Sequence, residues 1–175
     1  ADFATIDFDV NLSSLANGVI LAQTLHELLT HAKLPHYPKT SGQSGLHVLI
    51  PLGPERSFDT ARSLADLLGR ALVDRHPDIA TMERIVNRRG AKVYVDTGQT
   101  GPSRTIVSPY SVRAVATAMV STPLRWEEVN AKLDPSVWTM KTVPDRLKRE
   151  GDPMASLLED RPDLEAAIER LAQLL

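Results

Sequence analysis

The segment Asp2–Val10, with the sequence DFATIDFDV, has the pattern of a short β-strand and anchors the fold of the chain. Its Phe, Ile and Val residues alternate with polar ones, as in a strand with one buried face. Because side chains two residues apart on a strand point to the same face, Asp7 and Asp9 lie together, while Ile6 and Phe8 face the other way. The segment therefore predicts a sheet that carries two neighbouring carboxylates on one face.

Amphipathic helices and further strands follow along the chain, and proline-punctuated short helices are expected beyond Ser121. The longer elements expected are a helix from Ser13 or Ser14 to about Lys33, a strand Leu46–Leu52, a helix after Arg56–Ser57, a short helix Thr81–Arg88, a strand Lys92–Asp96 in a hairpin with Thr105–Ser108, and an amphipathic stripe from Leu164 to Leu175. Helices and strands mix without strict alternation, which favours the α+β class with a mainly antiparallel sheet flanked by helices.

Composition excludes several classes of protein. The 175 residues contain 42% hydrophobic and 24% charged residues, which fits one ordinary globular domain. The absence of cysteine excludes a disulfide scaffold, thiolate metal sites and cysteine nucleophiles, and it fits a reducing cytoplasm. No apolar run approaches the ~18 residues that a membrane span needs. A net charge of −2 means that any nucleic-acid binding must rest on local basic patches.

Three aspartates at strand positions are candidate metal ligands. Asp7 and Asp9 repel each other unless a cation lies between them, and hard carboxylate oxygens select Mg²⁺ or Mn²⁺. Asp96 ends the strand Val93–Asp96 and would join them only if the two strands are neighbours. The alternative is that Asp7 and Asp9 are solvated surface residues and that Asp96 forms a turn.

The glycine-rich segment Lys39–His47, KTSGQSGLH, is a candidate phosphate-binding loop. Small residues and two glycines let backbone N–H groups approach an anion. Lys39 could add positive charge, Ser41 a hydroxyl group, and His47 a donor to a phosphate oxygen. A plain turn followed by a structural histidine is the alternative.

Basic residues in two segments are candidate contacts to phosphate. Arg104 and Arg113, within the segment Gln99–Arg113, could each hold a phosphate in a bidentate manner, although arginines more often form salt bridges at the rim of a site. A basic run could be either a solvated helix end or part of a nucleic-acid path, and it consists of Arg84, Arg88, Arg89 and Lys92.

Taken together, the motifs resemble the polymerase domain of bacterial ATP-dependent DNA ligase D, within the archaeo-eukaryotic primase superfamily. The resemblance runs from about residue 5 to about residue 155. Several motifs occur in the same order as in the family: DFD at 7–9, KTSGQSGLHVLIPL at 39–52, VYVDTGQ at 93–99, SPYSVRA at 108–114 and VSTPLRWEEV at 120–129. The resemblance implies an α+β, primase-like catalytic core.

The resemblance also implies roles for individual residues. Asp7, Asp9 and Asp96 would be catalytic and would hold two Mn²⁺ or Mg²⁺ ions. Ser41 and His47 would contact the sugar and phosphates of the incoming nucleotide. Gln99 and Arg113 would bind its triphosphate.

The implied activity is that of a metal-dependent nucleotidyltransferase, which adds ribo- or deoxyribonucleotides to a primer 3′-hydroxyl in DNA break repair by non-homologous end joining. Its expected partners are DNA with a primer-template junction or broken ends, nucleoside triphosphates, and a ligase or other end-joining proteins. No membrane association is expected, and a bacterial protein of this kind would be cytoplasmic and associated with the nucleoid.

Two features depart from the family pattern. Ser44 stands where the family usually places a lysine that assists the triphosphate. Residues 1–175 are also expected to form a single catalytic domain, shortened at its N-terminus relative to the family, with the Asp7–Asp9 strand near an exposed sheet edge. A catalytically weak or inactive module that binds DNA ends or a partner protein is the alternative function, and a metal-dependent nuclease is a third.

Overall fold

Five strands form one sheet in the computed structural model, which describes residues 1–174. They are β1 (Phe3–Asp9), β2 (Tyr37–Thr40), β3 (Leu46–Pro51), β4 (Ala80–Thr81) and β5 (Val93–Asp96). Their order is β2-β3-β1-β5-β4; the β2–β3, β3–β1 and β1–β5 pairs are antiparallel, and β4–β5 is parallel. The prediction of an α+β fold with a mainly antiparallel sheet is therefore confirmed.

Strand β1 lies at the centre of this sheet, so the expectation that it sits near an exposed edge is wrong. It pairs with β3 on one side and with β5 on the other. Ala4, Ile6 and Phe8 on its apolar face are fully buried, which explains why the strand occupies the middle of the core. The alternate residues of β1 are thereby directed to the opposite face.

Within residues 1–174, four α-helices accompany the sheet. They are α1 (Leu15–His31), α2 (Phe58–Arg75), α3 (Val143–Glu150) and α4 (Leu164–Ala172). The Ser14 and Ser57 hydroxyls accept hydrogen bonds from the backbone N–H groups three residues later, which fixes where α1 and α2 begin. No helix within residues 1–174 is long and apolar enough to cross a membrane.

The two faces of the sheet differ in what covers them. Leucine and alanine residues of α1, α2 and α4 pack with Ile6 and Phe8 in the main core. A smaller apolar cluster of Leu49, Met154 and Leu157 covers only part of the opposite face. The rest of that face is free to hold polar side chains.

The amphipathic and alternating patterns predicted their elements correctly. The structure confirms β1, α1 with its serine N-cap, β3, α2, β5, the short helices beyond Ser121 and the helix that begins at Leu164. The last residue of the predicted C-terminal stripe, Leu175, lies outside the described residues.

Two local predictions are wrong, and two short edge strands, β2 and β4, were missed. Thr81–Arg88 is not a helix, because Thr81 belongs to β4 and only Val86–Arg88 forms a short 3-10 turn. Thr105–Ser108 is irregular and makes no hairpin with β5, both of whose edges are already paired with β1 and β4. Strand β2 was not predicted because it contains Pro38, which an edge strand tolerates.

Candidate active site

Four polar side chains form one row across the sheet, on the face that the helices leave open. The register pairs Lys39 with His47, His47 with Asp7, and Asp7 with Asp96. Because directly paired residues of antiparallel strands point to the same face, each side chain in the row lies beside the next, from β2 to β5. The row thus joins residues from distant segments singled out in the sequence.

The three candidate metal ligands share this face. Asp96 is the register partner of Asp7, and Asp9 lies two residues further along β1. The two strands are neighbours, which sequence spacing alone could not establish. Among residues 1–174, however, no group of three or more acidic or histidine side chains is arranged to hold a metal ion. The carboxylates of Asp9 and Asp96 are instead turned toward other partners.

The Asp7 carboxyl has a pKa well above its ordinary value. Burial, together with repulsion from Asp96 and Asp9, raises its pKa to about 7, although Lys39 and Arg113 act in the opposite direction. An ionised Asp7 is therefore costly in the metal-free protein. A cation bound beside it would relieve this cost.

Asp9 forms an ion pair with Arg89. Arg89 Nη1 lies 3.3 Å from Asp9 Oδ2, and the guanidinium carbon lies 3.7 Å from the centre of the Tyr94 ring. The remaining guanidinium nitrogens donate to the backbone carbonyls of Glu83 and Arg84. Arg89 is therefore held in place by four contacts and neutralises Asp9.

Asp96 accepts two hydrogen bonds from its own loop. Oδ1 accepts from the backbone N–H of Gly98, and Oδ2 accepts from the side-chain amide of Gln99, both at 2.8 Å. Gln99, predicted to bind a triphosphate, is in this structure the partner of Asp96. Both carboxylate oxygens of Asp96 are consequently engaged.

The Ser41–Gly45 loop is organised by its own serine. The Ser41 hydroxyl oxygen accepts hydrogen bonds from the backbone N–H groups of Gln43 and Gly45, at 3.1 and 3.0 Å. Gly42 has a φ of +73°, and a Cβ there would lie 2.6 Å from Cγ of Arg113. Two of the loop amides are thus engaged by Ser41, and Gly42 permits the close approach of Arg113.

Six of the seven predicted site residues line a single cavity of about 290 Å³. These six are Asp7, Asp9, Ser41, His47, Gln99 and Arg113, and Ser44 lines the same cavity. Asp96 lines a second cavity together with Arg84. Arg104 lines a third, with Phe3 and Phe58, so the structure does not bring it together with Arg113.

Lys39 is placed differently from the sequence-based expectation. It is fully buried behind His47 and does not line the cavity of the glycine-rich loop. Its Nζ lies 3.0 Å from His47 Nδ1 and 2.6 Å from the Ser121 hydroxyl oxygen. Burial lowers the pKa of Lys39 to about 7. Burial also lowers the pKa of His47 to about 3, and the positive charges of Lys39 and Arg113 add to this shift.

Sequence reasoning missed the specific contacts of two residues. Arg89 was visible only as one member of a basic run, and nothing in the sequence indicated that it pairs with Asp9. Ser121, which contacts Lys39, lies 82 positions further along the chain, so no local pattern connects the two.

The family model and the similar proteins of known name all belong to the LigD proteins. The family model described as LigD, primase-polymerase domain, matches residues 1–154. The chain is 34% identical over 147 residues to the bifunctional non-homologous end joining protein LigD of Bacillus subtilis, covering 83% of this chain and 24% of that protein. It is 32% identical over 162 residues to the multifunctional LigD of Mycolicibacterium smegmatis, covering 90% of this chain and 21% of that protein.

Among solved structures, the chain is similar to the polymerase domain of Mycobacterium tuberculosis ligase D in complex with DNA. The TM-score is 0.82 at 30% sequence identity, and the match covers 93% of this chain and 56% of that one. The chain therefore spans about a quarter or less of the two LigD proteins, and about half of the solved domain.

Proposed function

Because the chain belongs to the LigD primase-polymerase family, we propose that it is a metal-dependent nucleotidyltransferase, which adds ribo- or deoxyribonucleotides to a primer 3′-hydroxyl in DNA break repair by non-homologous end joining. The observation that carries the proposal is the direct pairing of Asp7 with Asp96 across β1 and β5, with Asp9 on the same face. This arrangement lies beside the cavity lined by the Ser41–Gly45 loop, His47 and Arg113.

The donor set suits the cofactor expected for this chemistry. Asp7, Asp9 and Asp96 offer only carboxylate oxygens, which favour Mg²⁺ or Mn²⁺, and the raised pKa of Asp7 reflects burial and excess negative charge at this point. When bound, two such ions supply activation of the primer hydroxyl and charge neutralisation at the departing pyrophosphate. Arg89 and Gln99 each donate one hydrogen bond to Asp9 and Asp96, whose carboxylates have further lone pairs that could bind a metal.

The chain's own donors would bind and orient the triphosphate. Arg113 Nη2 lies 3.1 Å from Gln43 Oε1 at the glycine-rich loop. There its planar guanidinium could hold a phosphate and stabilise charge as the bond to pyrophosphate breaks. The Ser41 hydroxyl uses its oxygen as an acceptor within the loop, so its proton is available to the nucleotide. His47 is neutral, because its pKa is lowered to about 3, and it can donate one N–H to a phosphate oxygen.

DNA and other end-joining proteins are the proposed macromolecular partners. The similar polymerase domain of M. tuberculosis ligase D is described in complex with DNA, and the B. subtilis relative is a bifunctional end-joining protein. A primer-template junction or a broken end could run along the exposed basic residues Arg84, which lines a cavity with Asp96, and Arg88. A ligase partner and a bacterial cytoplasmic, nucleoid-associated location are part of the same proposal.

Primer extension on gapped, 5′-phosphorylated DNA with Mn²⁺ and nucleoside triphosphates tests the proposal. We expect extension by the wild-type chain and its loss in Asp9→Ala, whereas Asp145→Ala, at an exposed position on α3, should extend normally. Absence of extension by a folded wild-type chain would contradict the proposed activity.

A non-catalytic module is the second candidate, and the contacts of Asp9 and Asp96 favour it. Arg89 neutralises Asp9, and Gly98 and Gln99 each donate a hydrogen bond to one oxygen of Asp96. Ser44, in place of the family lysine, removes one positive charge from the cavity. Binding to DNA ends without extension, and without any change on Asp9→Ala, would identify such a module.

A further inference from the structure

Lys39 is a fully buried lysine that contacts two polar side chains. Its Nζ lies 2.6 Å from the hydroxyl oxygen of Ser121, and that hydroxyl donates its proton to the backbone carbonyl of Thr40 at 2.8 Å. The Ser121 oxygen must therefore accept from Lys39. In its protonated form the Lys39 amine has three donors and no acceptor, so every neighbour within hydrogen-bond distance then has to accept.

The same argument applies to the other contact of Lys39. His47 Nδ1 lies 3.0 Å from Lys39 Nζ and must be the acceptor, which means that Nδ1 carries no proton. The proton of the neutral ring is then on Nε2. That nitrogen lies 3.4 Å from Asp7 Oδ1, and both Asp7 and His47 line the cavity.

We infer that Lys39 is a positioning residue, which keeps the proton off His47 Nδ1 so that the ring presents an Nε2–H donor to an anionic ligand in the cavity. The chemical class of that ligand, the phosphate groups of a nucleotide, rests on the proposed function. The protonation pattern of the ring rests only on the contacts of Lys39.

The cost of burying an ammonium group supports a role beyond packing. A charged amine is strongly hydrated in water, and its transfer to the interior is unfavourable even when it is hydrogen-bonded. A methionine of similar length would fill the space without this cost, and Ser121 would still donate to Thr40. If Lys39 only filled space in the core, its charge would lower the stability of the fold without any benefit.

The first test is the ¹⁵N signature of the His47 ring, recorded in the free protein by long-range ¹H–¹⁵N correlation at mildly acidic pH, where a lysine amine is protonated. We expect an unprotonated Nδ1 and a protonated Nε2 in the wild-type chain. In Lys39→Met, the Nδ1 resonance should move toward the protonated position, because no ammonium group opposes a proton there. His47→Gln assigns the signals by their loss.

Thr40→Val is the matched control for this measurement. It removes buried hydrogen bonds to Val120 and Thr122 from the same end of β2 but leaves the contact between Lys39 and His47 in place. The ring signature should be unchanged in this variant. A protonated Nδ1 in the wild-type chain, or an unchanged Nδ1 in Lys39→Met, would overturn the inference.

The second test links the ring to its ligand by binding of ATP with Mn²⁺ in the absence of DNA. Loss of one oriented donor to a charged group predicts binding about tenfold weaker in Lys39→Met. A glutamine at position 47 offers an amide donor near the position of Nε2 without help from Lys39. Adding Lys39→Met to His47→Gln should therefore cause no further loss.

The two tests fail in distinguishable ways. Equal losses from Lys39→Met in the wild-type chain and in the His47→Gln variant would show that Lys39 acts directly on the cavity's charge, which contradicts a positioning role. If the wild-type chain binds no ATP with Mn²⁺, the proposed function is contradicted, whereas the ring signature still decides the role of Lys39.

Discussion

Asp7 and Asp96 face each other as direct register partners across the antiparallel strands β1 and β5. Repulsion between these carboxylates adds to the effect of burial on Asp7 and makes its ionised form costly. The pair therefore concentrates negative charge at one point of the sheet, at the expense of stability.

Asp7→Asn should stabilise the metal-free protein. The pKa of Asp7 is raised to about 7 in the folded state, from an ordinary value near 3.8, so the unfolded state is favoured as pH rises through this window. At neutral pH, removal of the ionisable group should raise the free energy of unfolding by about 3 kcal/mol. Urea denaturation in the presence of a chelator measures this change.

Asp2→Asn, at an exposed position just before β1, is the control and should leave stability within about 0.5 kcal/mol of the wild-type value. Addition of Mn²⁺ and a nucleoside triphosphate should raise the melting temperature of the wild-type chain but not that of Asp7→Asn. A less stable Asp7→Asn would show that Asp7 is satisfied in the metal-free state.

Arg89→Ala should strengthen the binding of Mn²⁺. Its guanidinium lies 3.3 Å from Asp9 Oδ2, so it competes with a cation for that oxygen. We expect affinity to rise several-fold in a calorimetric titration, together with a loss of about 1 kcal/mol in stability from the broken contact with the Tyr94 ring.

Arg88→Ala removes the same charge from an exposed neighbouring position and serves as the control for Arg89→Ala. It should change Mn²⁺ affinity much less, because a solvent-exposed charge is screened. Equal effects of the two variants would indicate that only net charge matters.

Gly42→Ala should disrupt the loop that contacts Arg113. The glycine has a φ of +73°, and an added Cβ would lie 2.6 Å from Cγ of Arg113 and 2.8 Å from the backbone nitrogen of Ser121. We expect a loss of about 2–3 kcal/mol in stability, from backbone strain and steric overlap together.

Gly90→Ala, with a φ of +61° but nothing within 4 Å, isolates the strain alone and should cost about 1 kcal/mol. Similar losses in both variants, measured by urea denaturation, would mean that the loop yields freely to the added methyl group.

The His36 ring should make the protein less stable in acid. Its Nδ1–H donates to the carbonyl of Leu34 at 2.6 Å, so Nε2 accepts from His26 Nδ1 at 2.7 Å, beside the Trp126 ring. Burial lowers the pKa of His36 to about 4, whereas an unfolded histidine titrates near 6.5. The unfolded state therefore binds more protons between these values, and stability should fall by about 3 kcal/mol as pH drops from 6.5 to 4.

His36→Gln isolates this contribution from other acid effects. The difference in unfolding free energy between wild type and variant should shrink by this amount over the same pH range. His31→Gln, on an exposed histidine, should run parallel to the wild type. A constant difference for His36→Gln would contradict a neutral, acceptor role of the ring.

Local sequence patterns predicted the elements that have a local capping residue or a clear apolar face. The serine N-caps of α1 and α2 and the alternation of β1 follow directly from neighbouring residues. Strand β2 was missed because it contains Pro38, and β4 because two residues are too few to show alternation; β4 owes its conformation to pairing with β5. The β-branched residues of Thr105–Ser108 predict a strand, but tertiary context overrides that preference and the segment is irregular.

For the candidate site too, the sequence identified the residues but not their contacts. The motif resemblance selected Asp7, Ser41, His47 and Arg113, and all four line one cavity. The partners that govern their chemistry were not visible in the sequence. Lys39 looked like a cation for the glycine-rich loop, yet its side chain points into the interior and contacts His47.

By itself, the sequence determined that Asp7 and Asp9 lie on one face of a strand, because a period of two residues is a property of the extended backbone. Only the tertiary structure decided that Asp96 lies opposite Asp7, that Arg89 neutralises Asp9 and that Lys39 reaches His47. These contacts arise from strand register and loop packing between distant segments, which depend on burial of the whole apolar face of the sheet rather than on any single stretch of chain.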